Sequence, residues 1–142
     1  MADVAATKER VQRMLTQTLG TVQVDQDGDF TFRHGSARVF IRVMEAFGDH
    51  TVVRAFAYTN LEVPPSPELF HFVATNNAYV FGQLTAVERD EGVTVIFGQT
   101  ILGDSLDPDE LMSTVAAVAA SADDVDDEIQ QRFGGKRFHE DD

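Results

Sequence analysis

The sequence predicts a two-layer α+β domain in which an antiparallel sheet of five or six strands packs against three helices. Three observations carry that expectation. In the last third of the chain, Leu111, Val115, Val118, Ala122, Val125, Ile129 and Phe133 recur at steps of four and three, which draws one apolar stripe along a helix from Asp107 to Phe133. The strand candidates before it are joined by short polar turns, as antiparallel neighbours are. Three amphipathic helices are also about what one face of such a sheet needs for cover.

Taken in order, Val4 to Leu19 reads as the first helix, with Val4, Val11, Met14, Leu15 and Leu19 near one face and Gly20 at its C-terminal end. Thr21–Val24 and Phe30–Arg33 follow as short strands around an Asp-Gly turn, Asp25-Gln26-Asp27-Gly28-Asp29. Ala37–Phe47 and Thr51–Thr59 are the next two strands, separated by Gly48-Asp49-His50. Both are apolar at both parities: Val39, Ile41 and Val43 oppose Phe40 and Met44, and Val53, Ala55 and Ala57 oppose Val52, Phe56 and Tyr58. Arg38, Arg42 and Arg54 share the second parity. A sheet with one wet face alternates more cleanly, so the second face is expected to be half covered by a partner chain or a ligand.

A proline-rich connector, Glu62 to Pro67, leads into a second helix whose stripe is Leu69, Phe72, Val73, Asn76 and Val80, ended by Phe81-Gly82. Phe81–Glu88 and Val93–Leu102 form the last hairpin around Arg89-Asp90-Glu91-Gly92. Asp107 as N-cap, Pro108 at the first helical position and Glu110 then open the long helix, and Gly134 closes it. Residues 1–142 are read as a single domain with an ordered core of about residues 4–134 and a flexible acidic tail over 135–142.

Composition narrows the function. With 142 residues, 43% of them hydrophobic, the chain is long enough for one proper core, and the absence of cysteine removes disulfides, thiolate catalysis, iron-sulfur clusters and every zinc site that needs sulfur. Charge is uneven: residues 1–71 carry seven Lys or Arg against nine Asp or Glu, a net of −2, and residues 72–142 carry four against fifteen, a net of −11. An acidic surface of this kind repels phosphate backbones and anionic membranes, so neither nucleic acid nor membrane is expected as a partner. With no apolar run of eighteen residues and no secretory pattern at the N-terminus, a cytoplasmic location is expected.

Catalytic equipment is sparse. The histidines at 34, 50, 71 and 139 stand in no metal-ligand or catalytic spacing, and there is neither a Gly-x-Ser-x-Gly elbow nor a phosphate-cradling loop. The carboxylates at 123, 124, 126, 127 and 128 fall on the outer face of the last helix, where hydration keeps them ionised. Three aspartates at 25, 27 and 29 invite a calcium reading, yet Gly28 precedes the third acid and position 12 of such a loop is Ser36, so a plain turn is expected. No catalytic residue, cofactor or metal is assigned, and no enzyme is expected.

Two stretches carry a resemblance. Asn77-Ala78-Tyr79-Val80-Phe81-Gly82-Gln83-Leu84 resembles the step from middle helix to strand in the YbjN-type bacterial family, whose fold is that of the type III secretion chaperones. Thr100-Ile101-Leu102-Gly103-Asp104-Ser105-Leu106-Asp107-Pro108-Asp109-Glu110-Leu111 is similar to that family's strand, turn and helix cap. The resemblance implies a non-enzymatic, homodimeric domain that binds peptides or proteins, or a regulatory role of the kind labelled sensory-transduction regulator; it brings no catalytic residues with it. Joined to the two-sided strands, it makes Phe40, Met44, Phe56 and Tyr58 the candidate partner-binding or dimer face. The alternatives are that these side chains are plain core, or that the domain senses a small metabolite or metal between sheet and helix, with Asn76, Asn77 and Tyr79 lining a polar pocket.

Overall fold

The computed structural model describes residues 2–138, which form three helices and one antiparallel sheet. Helix α1 (Val4–Leu19) begins where Asp3 accepts a hydrogen bond from the Ala6 amide and ends at Gly20. It buries Thr7, Val11 and Leu15 and leaves Leu19 more than a third exposed. Strands β1 (Gln23–Val24) and β2 (Phe30–His34) are joined by the expected aspartate turn, in which Asp25 Oδ1 accepts from the amides of Asp27 and Asp29, each at 2.9 Å. Strands β3 (Ala37–Ala46) and β4 (His50–Val63) form the long central pair.

Helix α2 (Pro67–Thr75) is shorter than the sequence stripe suggested. Its start is as read, with Ser66 accepting from the Leu69 amide and Pro67 in the first turn. Its end comes at Asn76 instead of near Val80: the Asn77 amide bonds Thr75 O, where another helical turn would take it to Val73 O. Val80 consequently stands 92% exposed. Strands β5 (Gln83–Arg89) and β6 (Gly92–Leu102) follow, then helix α3 (Pro108–Phe133), capped by Asp107 whose Oδ1 accepts from the Glu110 amide at 2.8 Å. The stripe read from sequence faces the core: Leu111, Val115, Val118, Ala122, Val125 and Ile129 are all buried.

The sheet order is β1-β2-β3-β4-β6-β5, with every described pair antiparallel. β4 runs four residues beyond the expected Thr59, because bulges between Tyr58 and Asn60 and between Asn60 and Val63 re-aim the strand so that Val63 pairs Val93 in the core. At that irregularity Asn60 turns inward and donates to Asp126 O of α3 at 3.0 Å. The inward parity of β3 and β4, Val39, Ile41, Val43, Val53, Ala55 and Ala57, joins the α1 and α3 stripes in one apolar cluster. All three helices contribute to that cluster.

A seventh strand, β7 (Lys136–Arg137), exceeds the expected five or six. It lies where the sequence suggested a flexible tail, and pairs antiparallel with β4 at Asn60↔Arg137 and Leu61↔Lys136. The chain reaches it through Gly134 and Gly135 at φ 86° and 75°. Lys136 meets Glu62 at 3.0 Å and Arg137 meets Asp127, so both basic side chains dock onto acids of neighbouring elements. The remainder of the expected tail, including His139, lies outside the described residues.

Candidate functional site

Opposite the helices, the second parity of β3 and β4 forms an outward face. Register places Phe40 across from Phe56 and Met44 across from Val52, with Val52 in turn across from Leu102 of β6. Phe40 and Phe56 stack with ring centroids 5.4 Å apart, and Tyr58 meets both edge-on at 5.6 and 5.7 Å. Phe138, just beyond β7, completes the cluster: it stacks on Tyr58 at 5.6 Å and meets Phe40 edge-on at 5.9 Å. The four residues read from sequence are therefore together on one face but are not equivalent. Phe56 is only 5% exposed, whereas Phe40, Met44 and Tyr58 are half-buried and Leu102 is 63% exposed.

Phe56 owes its burial to cations as well as to rings. The guanidinium carbons of Arg42 and Arg54 lie 5.2 and 5.7 Å from its centroid. Arg42 is itself held bidentately by Asp29, Nε to Oδ1 at 3.0 Å and an Nη to Oδ2 at 2.6 Å, and this contact raises the arginine's pKa further. That pair also bears on the acidic turn. Asp25, Asp27 and Asp29 do bring ligand atoms together, but Asp29 is spent on Arg42 and Asp25 on the loop's own amides, the wiring of a turn. Beside Phe40, a groove of about 700 Å³ is lined by Val24, Asp25, Thr31, Arg38 and Phe138 among others, with one Asp25 carboxylate oxygen taken up by the amides of its own turn.

Two polar networks brace the helical layer. Asp104 takes the Thr51 amide and hydroxyl on one oxygen, each at 2.9 Å, and His50 Nδ1 on the other at 2.6 Å. The hydroxyl meets the carboxylate, not the imidazole, so the trio has no nucleophile paired with a base. These contacts, the Thr51 amide first, hold the Asp104 carboxyl at about 2 against an ordinary 3.8. A depressed folded pKa contributes stability that is present above 3.8 and lost as pH falls through about 2. Thermal melts of Asp104→Asn are expected to lie below wild type at pH 7, with the gap closing as pH approaches 2. A gap that stays constant with pH would remove the carboxylate from the explanation.

The second network joins the β2–β3 turn to α3. Ser36 Oγ lies 2.6 Å from Asp123 and 2.5 Å from Asp126, and one hydroxyl proton serves only one of them. With Ser36 N–H and O–H both within reach of Asp123, the Asp123 carboxyl is held low, while burial pushes the Asp126 carboxyl up. Further along, the Asn76 amide donates to the Tyr79 hydroxyl at 3.2 Å and Tyr79 packs edge-on against Phe97 at 4.7 Å. A cleft between α2 and β5 has Asn76 and Asn77 on its wall; Tyr79 is turned away into the core contact. His34 and His71 stand exposed, outside both networks' hydrogen bonds through their rings.

Phe138 is the member of the aromatic cluster that sequence reasoning missed. The signal was a pair of glycines followed by Lys-Arg-Phe, a turn that delivers an aromatic residue, in a segment otherwise dominated by acids.

Fold and face first define a class: a two-layer α+β protein whose helices cover one side of an antiparallel sheet and whose other side is an aromatic and arginine surface, the fold of the type III secretion chaperones. Over residues 5–141 the chain matches the family described as TY-Chap1, T3SS (YopN, CesT) and YbjN peptide-binding chaperone 1, and it belongs to that family. The Yersinia pestis type III secretion chaperone SycH, solved in complex with a stable fragment of YscM2, is similar over 84% of this chain and 97% of its own at 10% identity and a TM-score of 0.53. An uncharacterized protein from Methanothermobacter thermautotrophicus is similar over 90% of this chain and 99% of its own at 17% identity and a TM-score of 0.59. At these identities the likeness is one of fold. A search of curated proteins finds no match. No helix among the described residues is long and apolar enough to cross a membrane.

Proposed function

We propose that the protein is a non-enzymatic peptide-binding module of the secretion-chaperone type, working in the cytoplasm as a homodimer and holding an extended segment of a partner against its outward sheet face. The observation that carries the reading is the docking of Phe138: the face already holds one short extended segment whose aromatic side chain rests on Tyr58 and Phe40. Membership of a peptide-binding family supports it, as does the partner fragment bound to SycH. For the dimer, support comes from Val80 and Phe81, 92% and 40% exposed on the loop beside the edge strand β5.

Peptides selected from a random phage library on immobilised wild-type protein test the binding face. The Phe40→Ser/Tyr58→Ser variant is expected to lose at least about tenfold in affinity for them, since half-buried aromatics are the usual anchors of such contacts. Unchanged affinity in a variant that keeps its circular dichroism would place the peptide elsewhere. For assembly, sedimentation equilibrium is expected to give a dimer for wild type and a monomer for Val80→Asp/Phe81→Asp. A monomeric wild type would remove the dimer from the proposal.

A further inference from the structure

The chain carries a formal charge of −13, yet the outward sheet face does not share it. Helix α3 alone holds Asp109, Glu110, Asp123, Asp124, Asp126, Asp127 and Glu128 against Arg132. On the sheet, the outward parity set by the ladder runs through Arg38, Arg42 and Arg54, and up to the bulge after Tyr58 no outward strand position among the described residues is acidic. Arg42 is neutralised by Asp29. Arg38 donates to Thr31 Oγ1 at 3.3 Å and Arg54 lies over Phe56, and neither meets a carboxylate among the described residues. Two cations thus flank the aromatic cluster, one beside the groove at Phe40 and one beside a notch at Gly98, where a side chain would press on Phe56.

The occupant of the cluster is the chain's own. Phe138 is held by the two-residue strand β7, and a strand that short is marginal by itself, so its ring can be displaced by a competing one. We infer that this face selects acidic, aromatic-containing extended peptides: an aromatic residue of the partner replaces Phe138 on Tyr58 and Phe40, and carboxylates on either side of it pair with Arg38 and Arg54. Phe138 then acts as an internal competitor that keeps the face closed to weak ligands. The selectivity rests on the peptide-binding reading above and sharpens it. Guanidinium groups suit the role because they bind carboxylates through two parallel hydrogen bonds, and that of Arg54 does so from its place over the Phe56 ring. The acidic helical layer lies on the opposite side of the sheet and repels the same peptide, which directs it to this face.

The test uses the full chain and two fluorescein-labelled decapeptides, each with one Phe in a Gly/Ser background, flanked in one by Glu and Asp and in the other by Lys. Fluorescence anisotropy at low salt is expected to show the acidic peptide bound at least about tenfold more tightly, with the preference weakening as salt rises. Arg38→Glu/Arg54→Glu is expected to abolish or reverse the preference, and Phe138→Ala to tighten the acidic peptide severalfold. Where the double charge reversal fails to fold, Arg38→Gln/Arg54→Gln is expected to abolish the preference without reversing it. Equal affinity for the two peptides would overturn the acidic selectivity while leaving peptide binding standing. Binding of neither peptide, even to Phe138→Ala, would overturn both. Tighter binding of a labelled single-stranded oligonucleotide than of the acidic peptide would overturn the inference in favour of a stacking surface for nucleic acid.

Discussion

Phe56→Ala is expected to destabilise the protein by about 3 kcal/mol, read as a lower denaturation midpoint at unchanged slope. The size follows from position. Phe56 lies on the nominally open side of the sheet, but it is 5% exposed, stacked on Phe40, met edge-on by Tyr58 and overlaid by two guanidinium groups. Its removal strips contacts from Phe40, Tyr58, Arg42 and Arg54 at once and opens a cavity at the centre of the outward face. Phe40 and Tyr58, half-buried, carry less of the fold and belong to the recognition face proposed above. The sequence leaves open whether these side chains form such a face or plain core; by burial, Phe56 alone of the three aromatics counts with the core. A Phe56→Ala variant as stable as wild type would return it to the surface.

Gly135→Ala is expected to release β7, lowering stability by roughly 2 kcal/mol and exposing the aromatic cluster. Gly135 sits at φ 75°, and a Cβ there would come within 2.7 Å of Leu61 O and 3.0 Å of the Val63 Cα, both backbone atoms that cannot swing aside. The least costly escape is for the segment after Gly134 to leave β4, taking Phe138 off Tyr58. The same substitution should therefore lower the melting temperature and raise the affinity for acidic aromatic peptides, a combination that general destabilisation does not produce. A lower melting temperature with weakened peptide binding would mean that β7 builds the face and does not guard it.

The parts of the fold that were legible in the sequence are those with local signals. The α3 stripe, the Asp107-Pro108 start and the parity of β3 and β4 rest on periodicity and capping chemistry within a few residues, and each stands in the structure as expected. What escaped depends on distant partners. α2 stops at Thr75, where the Asn77 amide turns back to Thr75 O, and the chain beyond it carries Tyr79 onto Phe97, in a strand eighteen residues further on, so the apparent stripe through Val80 has no helix under it. β4 continues past Thr59 because Val93 receives Val63 in the core. β7 pairs with Asn60 and Leu61, on the edge of β4 that its ladder with β3 leaves open beyond Val39↔Ala57, and nothing in Lys136 or Arg137 alone signals a strand. For the site, Phe40, Met44, Phe56 and Tyr58 were legible as one face from their period of two. Their unequal burial and the capping ring of Phe138 were not, since both arise from cross-strand neighbours and a returning C-terminal segment.

The most direct test of the account is an amide chemical-shift titration of the isotopically labelled chain with the acidic aromatic decapeptide. Saturable shifts are expected along β3 and β4, at β7 and at Phe138, with the Phe138 amide moving toward values typical of an unstructured residue as the peptide takes its place. Shifts confined to the helical layer, or to the β5 edge, with β3, β4 and Phe138 unmoved at saturation, would contradict it.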